Sequence, residues 1–280
     1  MKQVMPTDDA TFAPDSSLVC ALRPSPNHGE RAGEPKPDMI LLHYTGMPDA
    51  ERALERLCSS GSEVSAHYFV HEDGRIAQMV PESRRAWHAG ESYWAEETDI
   101  NSCSIGIEIA NPGHDDRYPD FPQRQIAAVT ALCRGIIARW QIAPERVLGH
   151  SDVAPSRKKD PGEKFPWRTL YWSGVGHWIE PVPIVPGPTF TLGDRGDVIA
   201  SLQQVLAAYG YRVSTGGEFD EATRDAVMAF QRHFRPAQID GIVDSSTLMT
   251  LQALVDSLPL HARRPPPIAS IEEDADAIWS

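Results

Sequence analysis

The spacing of apolar and polar positions changes along the chain, and each change predicts a different element. Residues 1–37 are polar, proline-containing and aperiodic, and read as an N-terminal extension. Met39-Ile-Leu-Leu42 is a short apolar run, the pattern of a buried strand, and it ends at His43-Tyr44-Thr45. Ala50, Ala53, Leu54 and Leu57 then recur at helical spacing behind Pro48-Asp49. Two strand-like runs, 66–70 and 76–80, flank Glu72-Asp73-Gly74, and Asp-Gly between such runs predicts a hairpin. Ser104-Ile-Gly-Ile-Glu-Ile-Ala110 is rich in β-branched residues and reads as a central strand. Over 122–140, Ile126, Val129, Leu132, Cys133, Ile136 and Ile137 fall on a helical stripe. Val147-Leu148 is a brief strand running into Gly149-His150. Strands interleaved with helices predict an α/β (or α+β) domain over 38–180.

Pro181-Val-Pro-Ile-Val-Pro-Gly-Pro188 breaks this pattern. Proline fixes φ and removes backbone donors, so 181–189 reads as a semi-rigid, extended linker. Beyond it, 190–257 is purely helical in texture. Val198, Leu202, Val205, Leu206 and Tyr209 share one helix face; Ala226, Val227, Phe230 and Phe234 share another; Leu248, Leu251 and Leu254 mark a third. Two of these helices open on Gly-x-x-Asp-x-x-Thr, in which Asp220 or Asp244 can cap the N-terminus by accepting backbone N–H bonds. A small three-helix bundle is expected. Residues 258–280 turn proline-rich, then acidic, and read as a disordered tail.

Length and charge narrow the classes. At roughly 150 residues per domain, 280 residues make just under two domains. Lys and Arg number 26 against 39 Asp and Glu, a net −13. That excess of acid argues against a nucleic-acid binder or a membrane-surface protein, both of which need clustered basic charge. No stretch approaches the ~18 apolar residues of a membrane span. The early apolar stretch, Leu18 to Leu22, is shorter than the ~7–15 residues of a secretory signal. A soluble, monomeric, cytoplasmic protein is expected, with periplasmic or cell-wall association as the alternative. Cys20, Cys58, Cys103 and Cys133 form no C-x-x-C pair and are too sparse for a disulfide scaffold, so free and mostly buried thiols are expected.

Candidate chemistry gathers at strand ends. His43 and His150 each follow a short apolar strand, which would present their rings on rigid supports. Asp160, ten residues after His150, precedes a Pro-Gly turn that can fold its carboxylate back. Two imidazoles and one carboxylate suit a catalytic zinc with one coordination position left for water, whose pKa zinc lowers to roughly 7. Asp152 is an alternative carboxylate, although its closeness to His150 suits a local turn former better. Glu108 lies among apolar neighbours in a strand, so it needs a partner or a raised pKa; beside zinc it would serve as general base. Lys158 could stabilise a developing oxyanion. Lys159 competes for that role, but in an extended loop the residue two before Asp160 points to the same side as Asp160.

These residues carry a resemblance. Met39 to Thr45, Ser65-Ala-His-Tyr-Phe69, Trp87-His-Ala-Gly90, Ser104 to Glu108, Gly149-His-Ser-Asp-Val-Ala-Pro155 and Arg157-Lys-Lys-Asp-Pro-Gly162 occur in order. The chain from about residue 38 to 178 resembles the zinc-dependent N-acetylmuramoyl-L-alanine amidases of the amidase-2 group. The resemblance implies a mixed central β-sheet flanked by helices, and Zn2+ on His43, His150 and Asp160. It also implies Glu108 as base and Lys158 as transition-state stabiliser. The implied substrate bond joins N-acetylmuramic acid, or its anhydro form, to the L-alanine of a peptidoglycan stem peptide. Tyr44, His67, Trp87, His88 and Asn111 are the implied substrate-groove residues. Ser156 departs from the glycine expected there, a change confined to loop freedom. Residues 190–257 separately resemble the three-helix peptidoglycan-binding domain, through Leu192-Gly-Asp-Arg-Gly-Asp-Val198, Phe219-Asp220, Phe230-Gln231 and Asp240-Gly241 among others. Such a module would tether the enzyme to its polymer and raise the local concentration of scissile bonds. A non-catalytic wall-binding protein and a phage-type lysin of the same fold are the competing readings. A zinc carboxypeptidase is disfavoured because no His-x-His pair occurs.

Overall fold

The computed structural model describes residues 12–33 and 36–259. Its strands are β1 (Val19–Leu22), β2 (His28–Gly29), β3 (Met39–Tyr44), β4 (Tyr68–Val70), β5 (Ile76–Gln78), β6 (Arg85–Ala86), β7 (Ser104–Ile109) and β8 (Val147–Gly149). Its α-helices are α1 (Ala50–Leu57), α2 (Ile100–Cys103), α3 (Gln123–Trp140), α4 (His150–Val153), α5 (Trp167–Trp172), α6 (Asp197–Tyr209), α7 (Glu221–Phe234) and α8 (Ser245–Asp256). Six strands form one mixed sheet in the order β1-β5-β4-β7-β3-β8, and β2 pairs with β6 in a separate ribbon.

The expected hairpin forms: β4 and β5 pair antiparallel around the Asp73-Gly74 turn. All other pairings in the large sheet are parallel. The central β3 and β7 are buried along nearly their whole length. Burial on both faces explains why they read as continuous apolar runs rather than alternating ones. Helix α3 turns Ile126, Val129, Leu132, Cys133 and Ile136 into the core. Its buried Gln125 donates to the carbonyls of Val70 and Ala110, so strand-end acceptors inside the core are paired. The chain leaves this helix through Gln141, whose φ of 57° is the left-handed conformation of a helix C-terminus.

Three expectations need correcting. The segment read as an N-terminal extension contributes β1 to the sheet edge and β2 to the ribbon. Its buried Arg31 donates to the carbonyls of Glu82, Ser102 and Ser104. An edge strand of four residues, half-exposed along its length, carries no apolar alternation and is invisible to periodicity. Of the four free cysteines only Cys133 is fully buried; Cys58 and Cys103 are partly so and Cys20 is exposed. The third correction concerns the bundle. The extended linker expected at 181–189 does not hold helices α6, α7 and α8 apart from the catalytic sheet. One continuous apolar cluster runs from Ile40 and Leu148 through Trp94, Trp167 and Trp178 into Tyr209, Phe230 and Phe234. Trp94 packs edge-on against Tyr209 and Tyr211. The proline-rich stretch also touches the bundle, since Val182 exchanges hydrogen bonds with Thr250 and Ser246 of α8.

Asp220 and Asp244 cap α7 and α8 through the amides of Thr223 and Thr247. The expected disordered tail lies outside the described residues from 260 onward, while Leu258 is buried against the bundle. Among the described residues no helix is long and apolar enough to cross a membrane.

Candidate metal centre and active site

The parallel sheet delivers the two histidines to one end. His43 is the penultimate residue of β3, and β8, which pairs with β3, runs directly into His150. Asp160 is brought in by the following loop, where its carbonyl accepts the Ser151 amide at 2.9 Å. His43 Nδ1 and His150 Nδ1 lie 2.9 Å apart, and each is 3.0 Å from Asp160 Oδ2. All three residues are buried, and they make up the one cluster among the described residues that could hold a metal ion.

The surrounding hydrogen bonds fix the protons. Ser104 spends its hydroxyl proton on the Ile100 carbonyl, so its oxygen accepts from His88 Nε2. His88 Nδ1, left with a lone pair, accepts from His43 Nε2 at 3.1 Å. His150 Nε2 donates to the Ala89 carbonyl at 3.0 Å. Both Nδ1 atoms therefore carry lone pairs that point at each other and at a carboxylate oxygen. Three converging, unprotonated donors repel one another unless a cation lies between them, and nitrogen and oxygen donors of this kind suit zinc. Burial and the neighbouring His150 hold the His43 ring down at about 4, which keeps it neutral at physiological pH. Burial alone would raise the Asp160 carboxyl, but His150 and His43 beside it hold it well below the usual carboxylate range.

Glu108 of β7 pairs in register with His43. Its Oε2 is buried without a hydrogen-bond partner. Burial, and next the charge of Asp160, push its carboxyl up to about 8, against the pull of Lys158. Lys158 is half-buried and Lys159 exposed, although both line the cavity. The charge felt at His43 and Glu108 is that of Lys158.

A cavity of 540 Å³ opens over these groups. Three of the five residues named for the groove, Tyr44, Trp87 and His88, line it. His67 and Asn111 do not line it. His67 is fully buried, accepting from the Gly106 amide and donating to the Arg84 carbonyl. Asn111 spends its side chain on Pro119 and Gly113, shaping the loop after β7. Polar residues that brace the backbone cannot be told from groove residues by sequence position. His114 is a lining residue that the sequence reading missed: its Nδ1 meets the Tyr44 hydroxyl at 2.9 Å and its Nε2 meets Glu163 at 3.0 Å. The Tyr44 phenol is pushed up to about 12, first by burial and then by the charge of Asp160. Asp152 does not reach the metal cluster; it faces the bundle instead.

Comparison with known proteins agrees with this geometry. Residues 33–163 match the N-acetylmuramoyl-L-alanine amidase family, and residues 195–251 match a peptidoglycan binding domain family. The N-acetylmuramoyl-L-alanine amidase AmiD of Escherichia coli is 38% identical over 242 residues, covering 81% of this chain and 85% of AmiD. The 1,6-anhydro-N-acetylmuramyl-L-alanine amidase AmpD of Salmonella typhimurium is 34% identical over 174 residues, covering 55% of this chain and 90% of AmpD. Among solved structures, AmiD in complex with anhydro-N-acetylmuramic acid-L-Ala-D-gamma-Glu-L-Lys superposes with a TM-score of 0.69 at 37% identity, covering 81% of this chain and 91% of that one. AmpDh3 of Pseudomonas aeruginosa gives 0.67 at 30% identity, covering 92% and 100%. A likeness that runs through both the catalytic sheet and the bundle makes the chain a member of the N-acetylmuramoyl-L-alanine amidase family, and an enzyme of that class.

Proposed function

We propose that the protein hydrolyses the amide between N-acetylmuramic acid, or its anhydro form, and the L-alanine of a muropeptide, with zinc held by His43, His150 and Asp160. The observation that carries this reading is the convergence of three unprotonated donors beside an unpartnered carboxylate oxygen of Glu108. Bound zinc would supply Lewis acidity, polarising a carbonyl and lowering the pKa of water to about 7. Glu108 is placed to accept the proton of the attacking water and to return it to the departing alanine nitrogen. Its desolvated carboxylate is a stronger base than an exposed one. Lys158 projects positive charge into the same cavity, where it would stabilise negative charge developing on the amide oxygen. Tyr44, Trp87 and His114 line the walls and are the side chains in position to orient sugar or peptide.

The named substrates of the related structures, anhydro-N-acetylmuramyl peptides, favour the anhydro-muropeptide over intact wall as the preferred substrate. Four free cysteines agree with a reducing, cytoplasmic compartment. The decisive experiment measures zinc content and L-alanyl-peptide release from purified anhydro-muropeptide and from sacculi, alongside cell fractionation. Stoichiometric zinc with release of the peptide supports the reading. Tight muropeptide binding without release would replace it with the wall-binding alternative.

A further inference from the structure

Asp152 is two residues from the metal ligand His150, is 1% exposed, and bonds to the helical bundle rather than to the metal cluster. Its Oδ2 accepts the Gly149 amide at 2.7 Å, closing the corner where β8 becomes α4 and His150 begins. The same oxygen accepts from His233 Nδ1 of α7 at 2.8 Å. Its Oδ1 accepts the Tyr211 hydroxyl at 3.0 Å. His233 also stacks on Trp167, with ring centres 3.7 Å apart. Trp167 in turn covers Gly149, where an added Cβ would sit 3.3 Å from its ring and 2.7 Å from Pro161. Pro161 follows the third ligand, Asp160, and Ser151 N–H bonds to the Asp160 carbonyl. The backbone carrying His150 and the backbone carrying Asp160 are thus packed together, and two side chains of the bundle close the far side of that packing.

We propose that His233 and Tyr211 are positioning residues for the metal centre, so that the peptidoglycan-binding bundle is part of the active-site scaffold as well as a wall-binding module. The inference rests on the metal reading of His43, His150 and Asp160. Its physical basis is that a ligand's grip depends on how tightly its backbone is held; a partner bonded to the ligand's own ring is worth about 10–100-fold in metal affinity, and one that acts through Asp152 and the Gly149 backbone is worth less. A carboxylate without its two bundle donors would also be left buried with a charge less well compensated, and the Gly149 corner would relax to find water. A module joined only by a flexible tether would leave catalysis on small soluble substrates untouched by any of its side chains.

The test uses the full chain and compares His233→Ala, His233→Asn and Tyr211→Phe with the unaltered protein. Asn can offer its amide N–H where the imidazole Nδ1–H stood, so it serves as the conservative rescue. Zinc dissociation constants come from chelator competition, and kcat and KM from a soluble anhydro-muropeptide. The expected result is weaker zinc binding for His233→Ala by about 10-fold, the lower end of the range for a partner bonded to the ligand's own ring. Tyr211→Phe should show a smaller loss in the same direction, and His233→Asn a recovery of most of the affinity. At saturating zinc, KM should change little while kcat falls. Zinc affinity and kcat equal to those of the unaltered protein in folded His233→Ala and Tyr211→Phe would overturn the proposal. If His233→Ala does not fold, Tyr211→Phe, which deletes one oxygen, decides alone. An unaltered protein that binds no zinc would remove the underlying metal reading instead, a result distinct from both.

Discussion

Glu108 stands directly opposite His43 in the parallel pairing of β7 with β3. In-register neighbours on a pleated sheet project to the same face, so the Glu108 carboxylate and the His43 ring emerge side by side. A one-residue slip would send Glu108 to the other face of the sheet. The register thus decides whether these two side chains meet, and it is held by the apolar residues on either side, Leu42 and Ile107 among them.

Replacing Asp160 by alanine should remove zinc and abolish hydrolysis together, because it deletes one of three donors and leaves His43 and His150 facing each other at 2.9 Å. Elemental analysis checks it; full zinc occupancy in the variant would unseat Asp160 as a ligand.

Glu108→Ala should retain zinc and the fold while losing turnover by about 100- to 10,000-fold, the usual contribution of a positioned general base. Undiminished release of L-alanyl peptide would take Glu108 out of the mechanism.

The acid limb of the pH profile should belong to the same residue. A base works ionised, so activity is present above its pKa and lost as pH falls through it. Burial and the charge of Asp160 push Glu108 up to about 8 against the pull of Lys158, before any metal ion is counted. A bound dication favours the carboxylate and moves the limb below that value. Plotting kcat against pH for the zinc enzyme checks the sign; a rate that climbs on acidification contradicts it.

His88→Ala should loosen zinc without touching a ligand. His88 accepts the His43 Nε2 proton and so keeps the Nδ1 lone pair on the metal side. Losses of about 10–100-fold in metal affinity are expected for such a partner. Chelator competition against the unaltered protein measures it, and unchanged affinity would mean that the tautomer is fixed some other way.

Gly210→Ala should test how firmly the two domains are joined. Gly210 has a φ of 143°, and an added Cβ would fall 2.5 Å from the Trp94 ring. Holding a side-chain-bearing residue in that conformation costs about 1–3 kcal/mol. The clash with Trp94 adds to this. A lowered Tm with a separate, earlier transition for the bundle is expected by calorimetry, and an unchanged single transition would count against a shared core.

Much of the site is legible because its residues sit at the ends of strongly patterned elements. Met39 to Leu42 announces a strand whose end must present His43, and Ile105 to Ile109 sets Glu108 among buried apolar neighbours. The Asp73-Gly74 turn and the Asp220 and Asp244 caps are local devices that act within a few residues, so spacing alone reveals them. Strand β1 is not legible in this way, since an edge strand exposes most of its length and its partner Ile76 lies far along the chain. His67, His88 and His114 look alike in sequence, yet one braces backbone, one orients a ligand and one holds Tyr44 at the cavity wall. Which task each performs depends on the atom that faces its second nitrogen.

The sequence by itself determined the strand and helix supports, the proline break at 181–189 and the candidate metal donors, since periodicity, turn chemistry and donor type are properties of short stretches. Only the tertiary structure decided that both histidines point their unprotonated Nδ1 atoms at Asp160, that Asp152 faces His233 and Tyr211, and that the bundle shares the catalytic core. Proton positions and domain docking arise from contacts between residues tens to more than a hundred positions apart. No local pattern encodes a pairing of that range, because it exists only once the sheet register and the helix packing have brought the partners together.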